Sequence, residues 1–320
     1  MNYLAAGLNA PLPLPDGYPR RVVDADGPYL VDRDGGRFID LWTGYGALLL
    51  GHRDPQFLAA AEAALQAPWY YGSPSEAEER LATRLHETVP CAERVRFGAT
   101  GADAVMYAIR ISRAATGRTA ILAARGGYHG AIESPFTRGG IAHNGTWETR
   151  PFNDAAQFVE ALATQKFAAC IVEPVLGNNG CVPPHPAFLK QLRDACSDHG
   201  TVFILDEVMT GIRLALGGGQ ELYGVVPDLC TMSKAIAGGL PLSVVAGRRD
   251  LLERLLASGD VFFSGTFYGL PTSLAVALHL QERLADGSMH RALAAAGDRL
   301  RAGLRALAAE RGVPIAVQGV

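Results

Sequence analysis

Residues Asp228-Leu229-Cys230-Thr231-Met232-Ser233-Lys234-Ala235-Ile236-Ala237-Gly238-Gly239-Leu240-Pro241 run from a short apolar stretch straight into a lysine and a glycine pair. Almost no other charge lies nearby. Lys234 is one of three lysines in a chain of 320 residues; the other two, Lys166 and Lys190, lie in polar helical stretches as surface residues do. Positive charge elsewhere rests on arginine. A lone amine in an apolar, glycine-flanked turn points to chemistry that needs an amine. Desolvation lowers a lysine's pKa and frees the neutral nucleophile that a Schiff base requires. The bland alternative is a lysine that snorkels at a strand end.

Working outward, Ile204-Leu205-Asp206-Glu207-Val208 reads as a buried strand that ends in a carboxylate. Ligands of open α/β sheets gather at that edge. Apolar strand-like runs recur at 94–98, 119–124, 168–173, 202–206, 229–232 and 243–247. Helical spacing fills about 102–116, 154–165 and 186–199 between them. Strands too apolar to have a wet face, alternating with helices, predict a mainly parallel sheet covered on both sides. Upstream, 55–67 has helical spacing, and Ser75-x-x-Glu78 is a capping-box start for a helix to about Glu87. Earlier still, runs at 21–24, 28–32 and 37–41, separated by Asp-Gly turns, read as an antiparallel meander. After about Asp250 the chain returns to helices, with a long one over 288–311, and Gly312–Val320 looks like a strand just begun.

Composition narrows the function. With 48% hydrophobic residues the chain buries a substantial core, as one large domain or two moderate ones. A net charge of −3 with no basic run gives no footprint for nucleic acid or an acidic membrane. Cys91, Cys170, Cys181, Cys196 and Cys230 are scattered and odd in number. That argues against a disulfide framework or a structural zinc site, so no metal is expected, and for a reducing cytoplasm. The start, Met1 to Gly7, lacks a signal-peptide pattern, and no apolar run approaches the ~20 residues that span a bilayer. A cytoplasmic protein is the expectation.

Asp206 and Lys234, ending successive strands, could face one crevice. Pyridoxal phosphate needs both types: an amine for a Schiff base and a carboxylate to keep the pyridine nitrogen protonated. Its phosphate needs amide N–H groups at a helix N-terminus, and Gly98-Ala99-Thr100-Gly101-Ala102-Asp103-Ala104 offers a strand-to-helix turn. Tyr128-His129-Gly130 offers an aromatic plane, although a single tyrosine is more often core packing.

Together these residues resemble a known family. Thr100-Gly101, Tyr128-His129-Gly130, Val172-Glu173-Pro174, Asp206 to Gly211, Ser233-Lys234 and Gly265-Thr266-Phe267 occur in the order seen in class III aminotransferases of fold type I. Within these, Val172-Glu173-Pro174, Gly177-Asn178 and Asp206 to Gly211 followed by Arg213 are most similar to the glutamate-1-semialdehyde 2,1-aminomutase subgroup. Leu50-Gly51-His52 and Arg118 also fall where the resemblance puts them. It covers about Gly27 to Val320. It implies a mainly parallel, seven-stranded-type sheet in a large domain, plus a smaller α+β domain. Residues 1–50 would form the N-terminal segment and meander, 51–249 the large cofactor-binding domain, and 250–320 the start of the small domain, read as incomplete because family members continue past Val320.

The resemblance also implies roles. Lys234 would form the Schiff base and shuttle a proton; Asp206 would pair with the pyridine nitrogen; Val208 would pack on one ring face and Tyr128 stack on the other. Asn178 would hydrogen-bond the ring hydroxyl, and Thr100, Gly101 and the Ala102 amide would hold the phosphate. Thr266 would reach the phosphate in the neighbouring subunit, making a homodimer. Two departures stand out. Ala99 and Ala102 replace polar residues near the phosphate, which implies weaker affinity rather than none. In Gly7-Leu8-Asn9-Ala10-Pro11-Leu12-Pro13 a proline stands where the aminomutase pattern has a carboxylate-binding arginine.

Three readings follow. The first is a pyridoxal-phosphate-dependent aminotransferase that moves an amino group between a small-molecule donor and a keto or aldehyde acceptor. The second is an aminomutase-like transfer within one molecule. The third is a non-catalytic protein of this fold, or an inactive fragment. His129, His52 and Glu173 could tune the pocket but serve equally well as structural polar groups. Trp42, Tyr45, Trp69 and Tyr70 are candidates for the substrate entrance, with core packing the simpler reading for each.

Overall fold

The apolar runs around Asp206 and Lys234 do assemble into one sheet. In the computed structural model, residues 21–67, 69, 73–132, 146–255 and 260–320 are described. The expected meander is β1 (Val22–Asp26), β2 (Tyr29–Asp32) and β3 (Arg37–Ile39), antiparallel in the order β1-β2-β3. A tight turn, α1 (Thr43–Gly46), follows. Next come α2 (Pro55–Leu65), capped by Asp54, and α3 (Glu76–Thr88). The capping box that Ser75 and Glu78 predict is present, each side chain answering the other's backbone N–H.

The central sheet comprises β4 (Arg94–Gly98), β5 (Ala120–Arg125), β6 (Trp147–Pro151), β7 (Phe167–Val172), β8 (Val202–Glu207), β9 (Leu229–Met232) and β10 (Ser243–Gly247). Their order is β4-β10-β9-β8-β7-β5-β6. From β9 to β6 every pairing is parallel, whereas β10 runs antiparallel to both its neighbours. The helices among them are α4 (Gly101–Thr116), α5 (Ala155–Ala163), α6 (Phe188–Asp198) and α7 (Gly218–Tyr223). After the sheet come α8 (Arg249–Leu252), α9 (Pro271–Leu284) and α10 (Ser288–Arg311).

Alternation along each strand sorts its side chains to two cores. Ile171 and Ile204 pack with Val105, Ala108 and Ile111 of α4 on one face. Cys170, Val172, Phe203 and Leu205 pack with Phe158 and Leu162 of α5 and with Leu189 and Leu192 of α6 on the other. Every residue of β7, β8 and β9 is buried, and this is why these strands read as unbroken apolar runs.

Two features depart from the sequence reading. The edge strand β6, Trp147-Glu148-Thr149-Arg150-Pro151, carries too much polarity to show an apolar run, because only one neighbour covers it. Residues 313–320 form no strand; the carbonyls of Val317 and Val320 instead accept from Arg305 and Arg301 of α10. Beyond position 250, Leu274, Ala277 and Leu284 of α9 share a core with Leu81 and Leu85 of α3 and with Met232 and Val244.

Because β10 alone is reversed, the C-terminal ends of β4, β5, β7, β8 and β9 meet the start of β10 at one edge. Lys234, Asp206 and the Thr100-Gly101 turn of the sequence reading lie there.

Candidate active site

Asp206 sits on β8, opposite Thr231 of β9 in the parallel register, and is 2% exposed. A buried carboxylate is stable only with its lone pairs answered. Here Oδ1 accepts from the Thr231 hydroxyl at 3.1 Å and from the Val208 amide at 3.1 Å, while Oδ2 lies 2.7 Å from His129 Nδ1. An ionised carboxylate only accepts, so Nδ1 of His129 carries the hydrogen. That leaves Nε2 buried and without a partner among the described residues. The imidazole stacks on Trp147, with centroids 6.4 Å apart and planes 18° from parallel.

Lys234 follows β9 and opens a single 3-10 turn, Lys234–Ala237. Its φ of 51° is in the left-handed region, a conformation that costs about 1–3 kcal/mol in a residue with a Cβ and needs surrounding structure to hold it. Ala235, Ile236 and Ala237 supply that support, being fully buried. The Lys234 side chain is half-buried and has no hydrogen-bond or ion-pair partner among the described residues. Desolvation pulls its pKa below the ordinary lysine value, against the opposing pull of Asp206 and Glu173, and the Arg213 charge pushes the same way as desolvation. A lowered pKa brings the neutral, nucleophilic form of this amine within closer reach.

Thr100 caps α4. Its hydroxyl accepts from the Asp103 amide at 3.2 Å, and the Asp103 carboxylate accepts from the Thr100 amide at 2.8 Å. The Gly101 and Ala102 amides in the first turn have no intrahelical acceptor, and the helix dipole adds to their attraction for an anion. Two glycines keep this corner tight. A Cβ at Gly101 would come within 2.9 Å of Val208, and one at Gly130, where φ is +88°, within 2.9 Å of the Ala102 Cα. The loop after β5 therefore lies directly against the helix start.

Glu173, at the end of β7, is 4% exposed and accepts from the Tyr128 amide at 3.0 Å and the Gly177 amide at 3.1 Å. Burial raises its pKa, partly offset by His129. It fixes the Tyr128 loop to the loop after β7. Glu207, fully buried, accepts from the Thr210 hydroxyl and the Gly219 and Gln220 amides, and so holds the segment 208–220 in place.

Seven of the nine residues singled out from the sequence thus meet at one corner: Thr100, Gly101, Ala102, Tyr128, Asp206, Val208 and Lys234. Asn178 and Thr266 are exposed. The sequence undervalued His129 and Glu173, which are built into this corner, His129 through the bond to Asp206. Trp42, Tyr45 and Trp69 are about half exposed rather than core residues, at 48%, 46% and 51%. Tyr70 and Gly7 to Pro13 lie outside the described residues. His52 pairs with Asp40 at 2.8 Å, and Arg118 donates to the carbonyls of Phe167, His199 and Gly200; both are structural ties. A separate cavity of about 340 Å³, lined by Arg193, Thr201, Asp228 and Arg248, opens at the opposite end of β8 and β9.

Comparison with known proteins decides the family. The profile described as "Aminotransferase class-III" matches residues 16–320. The chain belongs to the class-III aminotransferase family. A glutamate-1-semialdehyde 2,1-aminomutase of Methanothermobacter thermautotrophicus is 38% identical over 333 residues, covering 99% of this chain and 79% of the relative. Among solved structures, a transaminase with PLP bound superposes with a TM-score of 0.92 at 28% identity, covering 99% of this chain and 79% of that one. A β-phenylalanine aminotransferase from Variovorax paradoxus gives 0.90 at 30% identity, covering 99% and 75%. This class-III chain therefore has the fold type I architecture of pyridoxal-phosphate-dependent transferases, as its mixed seven-stranded sheet and edge cluster indicate.

Proposed function

We propose that this chain is a pyridoxal-phosphate-dependent aminotransferase that uses Lys234 as its reactive amine and moves an amino group from a small-molecule donor to a keto or aldehyde acceptor. The observation that carries this reading is the pair at the sheet edge: a desolvated Lys234, unpaired among the described residues, within electrostatic reach of a buried Asp206 held by His129 and Thr231. The corner fits the cofactor on its own terms. It has an open helix N-terminus for a phosphate, an acceptor for a pyridinium N–H and an amine with no competing partner among the described residues.

When bound, pyridoxal phosphate supplies a protonated ring that accepts the electron pair released from a bond beside the amino group. The protein residues do the rest. Lys234 would hold the cofactor through Nζ and, at that atom, would hold and return a proton. Asp206, held in position by His129 and Thr231, would accept from the ring nitrogen. The Gly101 and Ala102 amides, with Thr100, would hold the phosphate; Tyr128, Val208 and Asn178 would hold the ring. We read 51–249 together with α9 as the cofactor-binding unit, preceded by the segment 1–50 and followed by the start of a smaller domain.

We also infer a homodimer in which Thr266 serves the neighbouring subunit's phosphate; its exposure, beside a Phe262 that is 82% exposed, favours this. A cytoplasmic location fits five cysteines that are all free, and no helix among the described residues is long and apolar enough to cross a membrane. A second reading, amino transfer within one molecule, is favoured by similarity to named aminomutases at 34–38% identity. One experiment separates them. The purified protein is loaded with pyridoxal phosphate and given amino donors with and without an added keto acid. Turnover that requires the keto acid supports the aminotransferase; a single rearranged product without it supports the aminomutase. Failure to bind the cofactor at saturation would refute both.

A further inference from the structure

Arg213 is a guanidinium without a carboxylate partner among the described residues. Its side chain is half-buried, and Nη2 donates to the Gly46 carbonyl, its one acceptor among the described residues; Nε is buried with none. Several other half-buried arginines are answered differently. Arg193 pairs with Asp228 at 2.8 Å, Arg283 with Asp54 at 2.7 Å, and Arg118 meets several carbonyls. A fork of five donors with one acceptor is poised for a planar anion.

Its position gives that anion a purpose. Arg213 ends the segment that starts at Asp206 and is braced by Glu207, and its charge is felt at Lys234. The turn that meets it is costly to form. Thr43, Gly44, Tyr45 and Gly46 all have positive φ, from 48° to 79°, and Asp40 pins the turn by accepting from the Trp42 and Thr43 amides. A Cβ at Gly46 would lie 2.7 Å from the Met209 sulfur and 3.7 Å from Arg213 Nη2, so glycine is required for this close approach. Trp42 and Tyr45, packed edge to face at 5.1 Å, stand beside it half exposed.

We propose that Arg213 is the carboxylate anchor of the substrate site, seated by the Gly46 carbonyl and open to an anion on its remaining donors. The enzyme then selects donors and acceptors that carry a carboxylate, and Trp42 and Tyr45 border the rest of the molecule. This rests on the reading of Lys234 as the reactive amine. Arginine's planar fork is what a carboxylate matches in two-point contact, so lysine would replace it only in part.

The test uses the cofactor-loaded enzyme and pairs each amino acid with the amine left when its carboxylate is removed: α- and β-alanine with ethylamine, and 4-aminobutyrate with propylamine. Wild type should favour the acid of at least one pair, read as the rate at which the cofactor absorbance changes. Arg213→Met should lower that acid's second-order rate by about 10- to 100-fold, leave the amine's rate within about threefold, and keep the cofactor spectrum. Arg213→Lys should recover part of the loss. A wild type indifferent to the carboxylate, or a Met variant with its preference intact on a normal spectrum, overturns the proposal alone. A wild type that takes up no cofactor overturns the Lys234 reading and this proposal with it. If the Met variant does not fold, phenylglyoxal labelling of wild-type Arg213, mapped by peptide mass, should be slowed by propionate or butyrate and not by chloride at equal concentration. Equal labelling in both would overturn the assignment.

Discussion

Replacing His129 isolates the bond that holds Asp206. His129→Leu removes the Nδ1 donor, 2.7 Å from Oδ2, from a carboxylate that is 2% exposed. A hydrogen bond to a charged group contributes about 1.5–3 kcal/mol. Loss of the stacked ring against Trp147 adds about 0.5–1.5 kcal/mol. His129→Asn keeps an N–H near the Nδ1 position and loses only the stacking. Both variants remove the unpartnered Nε2, so that contribution cancels in the comparison. The Leu variant should therefore be about 1.5–3 kcal/mol less stable than the Asn variant. Over 320 residues the entropy of unfolding is about 0.7 kcal/mol/K, so the two melting temperatures should differ by about 2–4 °C. Thermal and urea unfolding at neutral pH measure this directly. The Leu variant should also turn over more slowly once loaded with cofactor, because Asp206 then lacks its positioning contact. Equal stabilities, within about 0.5 kcal/mol, would refute the claim that His129 holds Asp206 through this bond.

Gly130→Ala puts a Cβ 2.9 Å from the Ala102 main chain at a φ of +88°; unfolding should show a loss of about 1–3 kcal/mol, with weaker pyridoxal phosphate binding by titration, and unchanged values in both would contradict the tight corner. Lys234→Met bears on the desolvated amine. The folded chain releases this proton at a lower pH than the unfolded chain, so wild-type stability without cofactor should rise between that lowered pKa and the ordinary 10.5, and the Met variant should lose this part of the slope. Identical slopes would mean that the amine is solvated. Thr266→Ala and Lys234→Met, each impaired alone, should regain activity when their subunits are mixed, since one site of the mixed dimer then has both residues; no gain on verified mixing would rule out a shared site.

Much of this was legible before the fold was seen, and for a physical reason. β9 and β10 run over the very residues their apolar patterns mark, because both are buried on two faces and every position reports burial. The capping box at Ser75 and the long helix Ser288–Arg311 are local signals that need no tertiary context. β6 escaped because an edge strand with polar residues resembles a loop in one dimension. The reversed direction of β10 escaped too, since an apolar run does not say which way it points. At the site, Lys234 stood out because lysine is so rare here, and Asp206 because it closes an apolar strand. The 2.7 Å contact between His129 and Asp206 spans 77 positions and leaves no mark in spacing. Nor does spacing reveal that Arg213 has no carboxylate partner among the described residues.

Lys234 remains the hinge of the account, and a chain with three lysines makes the decisive measurement simple. Protein saturated with pyridoxal phosphate is reduced with borohydride, digested and mapped by mass spectrometry. The account predicts the pyridoxyl mass on the peptide that contains Lys234, loss of the visible absorbance band, and no band in Lys234→Ala. Label on Lys166 or Lys190 with Lys234 unmodified, or an unchanged band in the Ala variant, would contradict it.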